Sequence, residues 1–273
     1  MKQTLTLLLL SCALALASVL RAELKLPAII GDHMVLQQKQ ANPIWGWDTP
    51  GTRVTVKFSG QSYTATAGSD GRWTVKLAAA PANATPQILS IAGTTQRDVT
   101  DVLIGEVWMC SGQSNMQWSL GQTYTGDIEG AGARRPNLRI VSVPQVGTQE
   151  PQDNFNGAWS VCSPESVGNF SAVGYLFGSR IHSALGVPVG LIDNAWGGSA
   201  AEAWVPRNAL EADGGYAALL NSWDTKVAAY TDEMHAAKVA EYKVWLEAGK
   251  PGKAKHSPRD FRAGQHRPAH APL

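Results

Sequence analysis

The chain has 273 residues and an almost balanced charge, with 23 Lys and Arg against 22 Asp and Glu. A formal net charge of +1 argues against nucleic acid or an anionic surface as the main partner. Ten tryptophans are many for this length. They either fill the core and pair across strands or stack on sugar rings, and the sequence does not separate these two roles.

The first residues have the pattern of a secretory signal peptide, which we assign to residues 1–22. Lys2 precedes an apolar run, residues 5–17, that is too short to span a bilayer and ends in small residues. Cleavage is expected after Ala17 or after Ala22. No later stretch of the sequence is apolar for long enough to form a transmembrane helix. We therefore expect an exported protein, periplasmic or secreted, that is not an integral membrane protein.

Residues 23–98 predict a small antiparallel β-sandwich module. Polar and apolar residues alternate in residues 53–58, 62–67 and 73–77, and turn formers such as Asp70 and Gly71 separate these runs. Because alternation places one face of a strand in the core and one in solvent, these strands belong to an antiparallel sheet.

Residues 99–215 predict an α/β unit with a parallel sheet flanked by helices. Residues 102–109 and 187–193 are nearly continuous apolar runs, as expected of strands that are covered on both faces, and residues 138–143 are a further candidate. Residues 171–185 have helical spacing of apolar side chains, and Gly186 is placed to end that helix. A helix between buried strands is typical of parallel α/β folds.

The last third of the chain predicts different structure. Residues 216–248 are rich in Ala, Lys and Glu and predict one long amphipathic helix. Residues 249–273 are rich in Pro and basic residues, have almost nothing to bury, and predict a disordered tail or linker. Since an α/β domain seldom ends in this way, we expect that the chain is truncated and that its sheet is incomplete.

Cysteine usage leaves two pairings open and gives little support to a metal site. Cys12 leaves with the signal peptide, so Cys110 and Cys162 remain. They either form a disulfide in an oxidising compartment or lie separately in the core as small apolar side chains. No second Cys or His stands at ligand spacing, so we expect no metal site.

Ser114 is the candidate nucleophile. It directly follows the first buried strand, and ligands of open parallel sheets bind beyond the carboxyl ends of the strands. Gly112 permits a tight turn, and a helix starting near Met116 would bring free N–H groups to an oxyanion beside Ser114. An ordinary strand-to-helix turn with a capping Ser or Asn explains the same tripeptide, so this short pattern does not decide the matter.

A longer run of residues resembles a known family. Residues 105–116 (GEVWMCSGQSNM) are similar to the signature of the sialate O-acetylesterases, a branch of the SGNH-type hydrolases in which Gln113 replaces the more common Asp. The similarity extends to residues 32–37 (DHMVLQ), 169–175 (NFSAVGY) and 190–204. In all it covers most of residues 24–210.

The resemblance implies an SGNH-like fold and the removal of O-acetyl groups from sialic acid or another acetylated glycan, without a cofactor. It makes Ser114 the nucleophile, supported by Gln113 and Asn115, while Ser111 is the weaker candidate. Residues 194–199 (NAWGGS) resemble the block whose backbone N–H joins that of Ser114 in the oxyanion hole. Gly197 and Gly198 both remain candidates for that donor.

The base that a serine nucleophile needs is not visible in the sequence. The family resemblance implies an Asp-x-x-His block in a part that this chain does not match. Residues 232–235 (DEMH) fit those letters, but they lie in the predicted amphipathic helix, where a solvated helix face explains them better. We therefore expect an esterase by family whose single chain is nearly inert. The alternatives are a non-catalytic carbohydrate-binding protein and an inactive esterase fragment.

Overall fold

A computed structural model describes residues 23–147 and 151–250. The predicted signal peptide and residues 251–273 of the predicted tail lie outside the described residues. The strands and helices in chain order are β1 (Val35–Gln37), β2 (Asn42–Trp47), β3 (Arg53–Phe58), β4 (Gln61–Thr66), β5 (Arg72–Leu77), β6 (Asn83–Ala92), β7 (Gln96–Gly112), α1 (Ser114–Gln117), α2 (Gly126–Ala131), β8 (Arg135–Ser142), β9 (Ser160–Cys162), α3 (Pro164–Val167), α4 (Ala172–Leu185), β10 (Val189–Ala195), α5 (Arg207–Ala212), α6 (Ala217–Ala229) and α7 (Asp232–Glu247).

The N-terminal β structure has two layers around one core. β2 pairs antiparallel with β5, while β3 pairs antiparallel with β4 and β6. Ile44 and Trp73 from the first layer and Val54, Val56 and Leu89 from the second are buried in the same cluster. The alternating pattern of the sequence thus corresponds to strands with one buried face, as predicted.

Strand β7 is shared by both parts of the fold. Over its 17 residues it pairs antiparallel with β6 in its first half and parallel with β10 in its second half. The border that we predicted after residue 98 therefore falls inside a single continuous strand. The β module and the α/β unit are joined through one sheet.

The predicted parallel sheet is present, and β10 lies between β7 and β8 in it. In its register, Ala195 lies opposite Gly112 and Val189 lies opposite Leu138. Helix α4 packs on this sheet: the Ser171 side chain accepts a hydrogen bond from Gly174 N at its start, and Gly186 ends it with φ 66°. A left-handed residue at that position is easiest for glycine, which has no Cβ.

The predicted helix over residues 216–248 is wrong as a single element. It is divided into α6 and α7 at Tyr230 and Thr231, where Tyr230 is buried and Thr231 Oγ1 accepts a hydrogen bond from Met234 N at 3.2 Å. A threonine cap starts a new helix and so breaks the old one. Over the described ranges, no helix has the length and apolar character needed to cross a bilayer.

The two cysteines that the structure describes are free and buried in the same core cluster. Burial raises the pKa of both the Cys110 and the Cys162 thiol to about 11. Thiols with so high a pKa stay protonated near neutral pH and are poor nucleophiles. Of the two readings of the sequence, the structure corresponds to two separate thiols.

Candidate active site

Ser114 lies where two parallel strands end side by side. β7 ends at Gly112, which has φ 142°, and α1 begins at Ser114 after the capping residue Gln113. The end of β10 lies beside it, with Trp196 N donating to Gly112 O at 2.9 Å. The serine therefore lies at the carboxyl ends of the parallel strands, the edge at which open parallel sheets bind ligands. The helix that follows is a single turn of four residues, starting two residues earlier than the sequence suggested.

The Ser114 hydroxyl is exposed and oriented by its neighbour. Its Oγ donates to Gln113 Oε1 at 2.6 Å, and its backbone N donates to the same oxygen at 3.0 Å. Asn115 is exposed as well. A substrate can therefore approach Ser114 from solvent, and Gln113 is in direct contact with Ser114.

Gly197, rather than Gly198, lies against the serine. Its N–H donates to Gln117 Oε1, the side-chain oxygen at the end of α1. A Cβ placed on Gly197 would lie 3.5 Å from the Ser114 Cβ and 2.6 Å from that Gln117 oxygen. Gly198 has φ 78°, and a Cβ there would meet nothing within 4 Å. A side chain at position 197 would therefore press on the Gln117 side chain and lie in van der Waals contact with Ser114.

The sequence did not single out Gln117. It stands three residues after the candidate nucleophile, on the same turn of helix, and only the approach of the β10 end brings Gly197 against it. Its position directly after the GQSNM run was the one available signal.

The histidines of the described ranges are engaged away from Ser114. His33 Nδ1 donates to Asp101 at 2.6 Å, and His182 Nδ1 donates to Val187 O at 2.7 Å. His235 lies in the first turn of α7, with its Nδ1 3.2 Å from the Tyr230 hydroxyl. None of these contacts links a histidine to the candidate nucleophile.

Asp193, near the end of β10, is a half-buried residue with a buried Oδ1 atom that sequence reasoning missed. It lies opposite Cys110 in the β7–β10 register. Burial raises its pKa to about 6, although hydrogen bonds from the backbone N–H groups of Ala195 and Ser171 oppose the shift. Its signal in the sequence was an acidic residue at the end of an apolar run.

Metal ligands are not grouped in the described residues. No cluster of three or more His, Cys, Asp or Glu side chains that could hold an ion occurs there. The groups that lie together at the strand ends are a hydroxyl, backbone amides and glutamine side chains. Such groups suit nucleophilic attack and the hydrogen bonding of an oxyanion.

The fold and this arrangement together define the class of SGNH-like α/β folds. An exposed serine follows one parallel strand, and a glycine pair follows the neighbouring strand. A solved carbohydrate acetylesterase from Xanthomonas citri has the same fold. It superimposes with a TM-score of 0.67 at 38% sequence identity, covering 70% of this chain and 44% of that protein.

Curated relatives give the family. The chain is 35% identical over 206 residues to the sialate O-acetylesterase of Mus musculus and 33% identical over 205 residues to that of Homo sapiens. These matches cover 68% of this chain but 38% and 39% of the relatives, so the chain spans about two fifths of their length. A scan against protein-family models gave no match. The resemblance is confirmed: over the part that it spans, the chain belongs to the sialate O-acetylesterase family.

Proposed function

We propose that this chain carries the nucleophile and part of the oxyanion hole of a serine esterase that removes O-acetyl groups from carbohydrates. The observation that carries the proposal is the placement of the exposed Ser114 beside the Gly197 backbone, at the carboxyl ends of two parallel strands. The relatives support the substrate class, because they are named sialate O-acetylesterases and a carbohydrate acetylesterase. The pattern of residues 1–22 supports the further proposal that the protein is exported.

The reaction would proceed through an acetyl-enzyme. Ser114 Oγ attacks the acetyl carbonyl carbon, a new Oγ–C bond forms, and the carbonyl electron pair moves to the oxygen, which the Gly197 N–H holds. A base takes the hydroxyl proton and returns it to the sugar oxygen as the C–O bond to the sugar breaks. Water then attacks the acetyl carbon, the bond from that carbon to Ser114 Oγ breaks, and the proton that the base takes from water returns to Oγ as acetate leaves.

An exposed tryptophan supports a sugar substrate. Trp118 follows α1 directly, its backbone N donates to Ser114 O at 3.0 Å, and its side chain is 53% exposed. Aromatic faces next to a reacting centre are suited to stacking on a sugar ring. By contrast Trp45, Trp73 and Trp159 are buried in the core. Trp118 would also fit a non-catalytic carbohydrate-binding protein, and we keep that function as the second candidate.

The rate of this chain by itself should be low. Gln113 orients the Ser114 hydroxyl, but an amide oxygen does not take up a proton near neutral pH. Loss of the base from a serine site typically lowers the rate by a factor on the order of 10⁴. We therefore expect slow acetylation of Ser114 by an activated ester and very little release of acetate from a glycan.

The test compares the chain with two serine variants. The purified protein, Ser114→Ala and the control Ser111→Ala are incubated with 4-nitrophenyl acetate, and the acetylated position is found by mass spectrometry. Acetyl transfer to Ser114 in the unaltered chain and in the control supports the proposal. Acetylation that continues elsewhere at the same rate in Ser114→Ala refutes it. Binding of an acetylated oligosaccharide without any acetylation of Ser114 selects the carbohydrate-binding candidate.

A further inference from the structure

We propose that Gln117 is a placeholder in the oxyanion hole, a group that takes the position of the substrate oxygen until substrate binds. Its side-chain oxygen accepts the hydrogen bond of the Gly197 N–H in the resting protein and has to leave when an acyl oxygen binds. The inference rests on the proposed function, since it assigns a role to a residue at the same site. Gln117 is then a residue that sets how strongly the site binds its substrate.

The candidate oxyanion donor, the Gly197 N–H, already has an acceptor in the resting protein. Gly197 N donates to Gln117 Oε1, and this oxygen lies on the side of Gly197 that faces Ser114. A Cβ placed on Gly197 would meet the Gln117 oxygen at 2.6 Å and the Ser114 Cα and Cβ at 3.4 and 3.5 Å. The amide oxygen therefore lies where the oxygen of an acyl group bound to Ser114 would find its donor.

One N–H donates to one strong acceptor at a time. A carbonyl oxygen of the substrate and the carbonyl oxygen of Gln117 are both neutral amide- or ester-type acceptors, so they compete on similar terms. The side chain of Gln117 is exposed, and water can satisfy it after it swings away. Displacement thus costs the net free energy of one hydrogen bond rather than that of a buried unsatisfied group.

Gln117 acts on KM rather than on kcat. The cost of displacing Gln117 is the same whether the arriving oxygen belongs to the bound ester or to the transition state. Removing the placeholder therefore strengthens the binding of both equally, which lowers KM and leaves kcat unchanged. A residue that instead anchors the Gly197 peptide in its catalytic orientation would have the opposite effect, because its loss would weaken the oxyanion hole and lower kcat.

The probe is acetate, the product of the proposed reaction, whose carboxylate can accept from Gly197 N–H. The backbone amide resonance of Gly197 is followed by NMR during titration with sodium acetate. The series comprises the unaltered chain, Gln117→Met, Gln117→Glu and the control Gln40→Ala. Met keeps the length of the side chain but removes the strong acceptor, Glu places a charged acceptor there, and Gln40 is exposed in the turn between β1 and β2.

We expect Gln117→Met to bind acetate roughly 3- to 10-fold more tightly than the unaltered chain, the equivalent of one neutral hydrogen bond. Gln117→Glu should bind acetate more weakly, and Gln40→Ala should match the unaltered chain. Equal or weaker binding in Gln117→Met, with the Gly197 resonance still responding to acetate, overturns the placeholder and leaves the proposed function standing. If the chemical shift of the Gly197 amide does not change with acetate in any variant, Gly197 is not part of the oxyanion hole. The placeholder role of Gln117 is then overturned as well.

Discussion

Replacing Asp101 by asparagine should destabilise the protein strongly, because Asp101 neutralises a buried arginine. Asp101 in β7 accepts hydrogen bonds from Arg139 in β8 at 2.5 and 3.1 Å and from His33 at 2.6 Å. The Arg139 side chain is only 4% exposed. Asparagine keeps the shape of the side chain, and it tolerates the left-handed backbone of this residue, which has φ 55°. The substitution therefore removes the charge, keeps the backbone conformation and replaces one acceptor oxygen by an NH2 donor.

The magnitude follows from the burial of Arg139. Removing one partner of a buried ion pair leaves the other charge uncompensated, which typically costs about 3–5 kcal/mol. Asn can still accept one hydrogen bond from the guanidinium, so we expect the lower part of that range. A value of 3 kcal/mol is a large fraction of the roughly 5–15 kcal/mol by which proteins are stable. The same pair at the surface would contribute at most about 1 kcal/mol.

The dependence on pH gives a second readout. Burial alone would raise the pKa of Asp101, but hydrogen bonds from Arg139 and His33 lower it below its usual value. A carboxyl whose pKa is lowered by folding stabilises the protein above its unfolded pKa, about 3.9, and this contribution is lost as pH falls through the folded value. The difference in stability between the unaltered chain and Asp101→Asn should be complete near pH 7 and shrink below about pH 4.

Urea denaturation followed by circular dichroism measures these free energies. The control is Asp98→Asn, which removes an exposed carboxylate from the same strand and should change stability by less than about 0.5 kcal/mol. An Asp101→Asn variant within 1 kcal/mol of the unaltered chain at pH 7 would show that Arg139 finds enough compensation elsewhere, and the reasoning would be wrong.

Two further predictions concern the parallel sheet. Burial raises the pKa of Asp193 to about 6, so its ionisation opposes folding as pH rises above its unfolded pKa of about 3.9. The free energy of unfolding of Asp193→Asn, relative to that of the unaltered chain, should therefore increase by about 2–3 kcal/mol between pH 4 and pH 8. Urea denaturation at both pH values measures this difference. A gain that is independent of pH would contradict this. Gly174→Ala should destabilise the protein by about 1–3 kcal/mol, because its Cβ would lie 2.8 Å from Cys110 Sγ. The control is Gly130→Ala, whose Cβ would meet nothing within 4 Å. Thermal melts compare the two variants, and equal melting temperatures would refute the steric argument.

The sequence predicted those elements whose burial is decided locally. Alternation marks β3 and β5 because each buries one face, and a continuous apolar run marks β10 because both faces are covered. The same rule misled at β7, where the pattern changes along one strand as its surroundings change from a sandwich to a parallel sheet. A change in periodicity indicated a domain border, although the backbone continues. The break at Thr231 was missed because neither Gly nor Pro marks it.

At the site, the sequence could name residues but not their contacts. A motif names Ser114 and the glycine pair as candidates, and the proposal of Gly197 rests on its distance to Ser114 across two strand ends. Gln117 became visible only when the end of β10 was placed against α1. Asp193 required its burial to be known, because its raised pKa is caused by burial rather than by a charged neighbour.

Under the proposed function, each of the two glutamines binds one group that the reaction needs, and each has to be displaced before the reaction starts. Gln113 holds the proton of Ser114 Oγ, and Gln117 holds the N–H of Gly197, so both reactive groups are satisfied before a substrate arrives. A base that takes the Ser114 proton has to replace Gln113 as the acceptor, just as the acyl oxygen has to replace Gln117. The three histidines of the described ranges make their contacts elsewhere, and the Ser114 hydroxyl is open to solvent. The base therefore has to reach Ser114 from its exposed side, and the same approach would be open to a water molecule during deacylation.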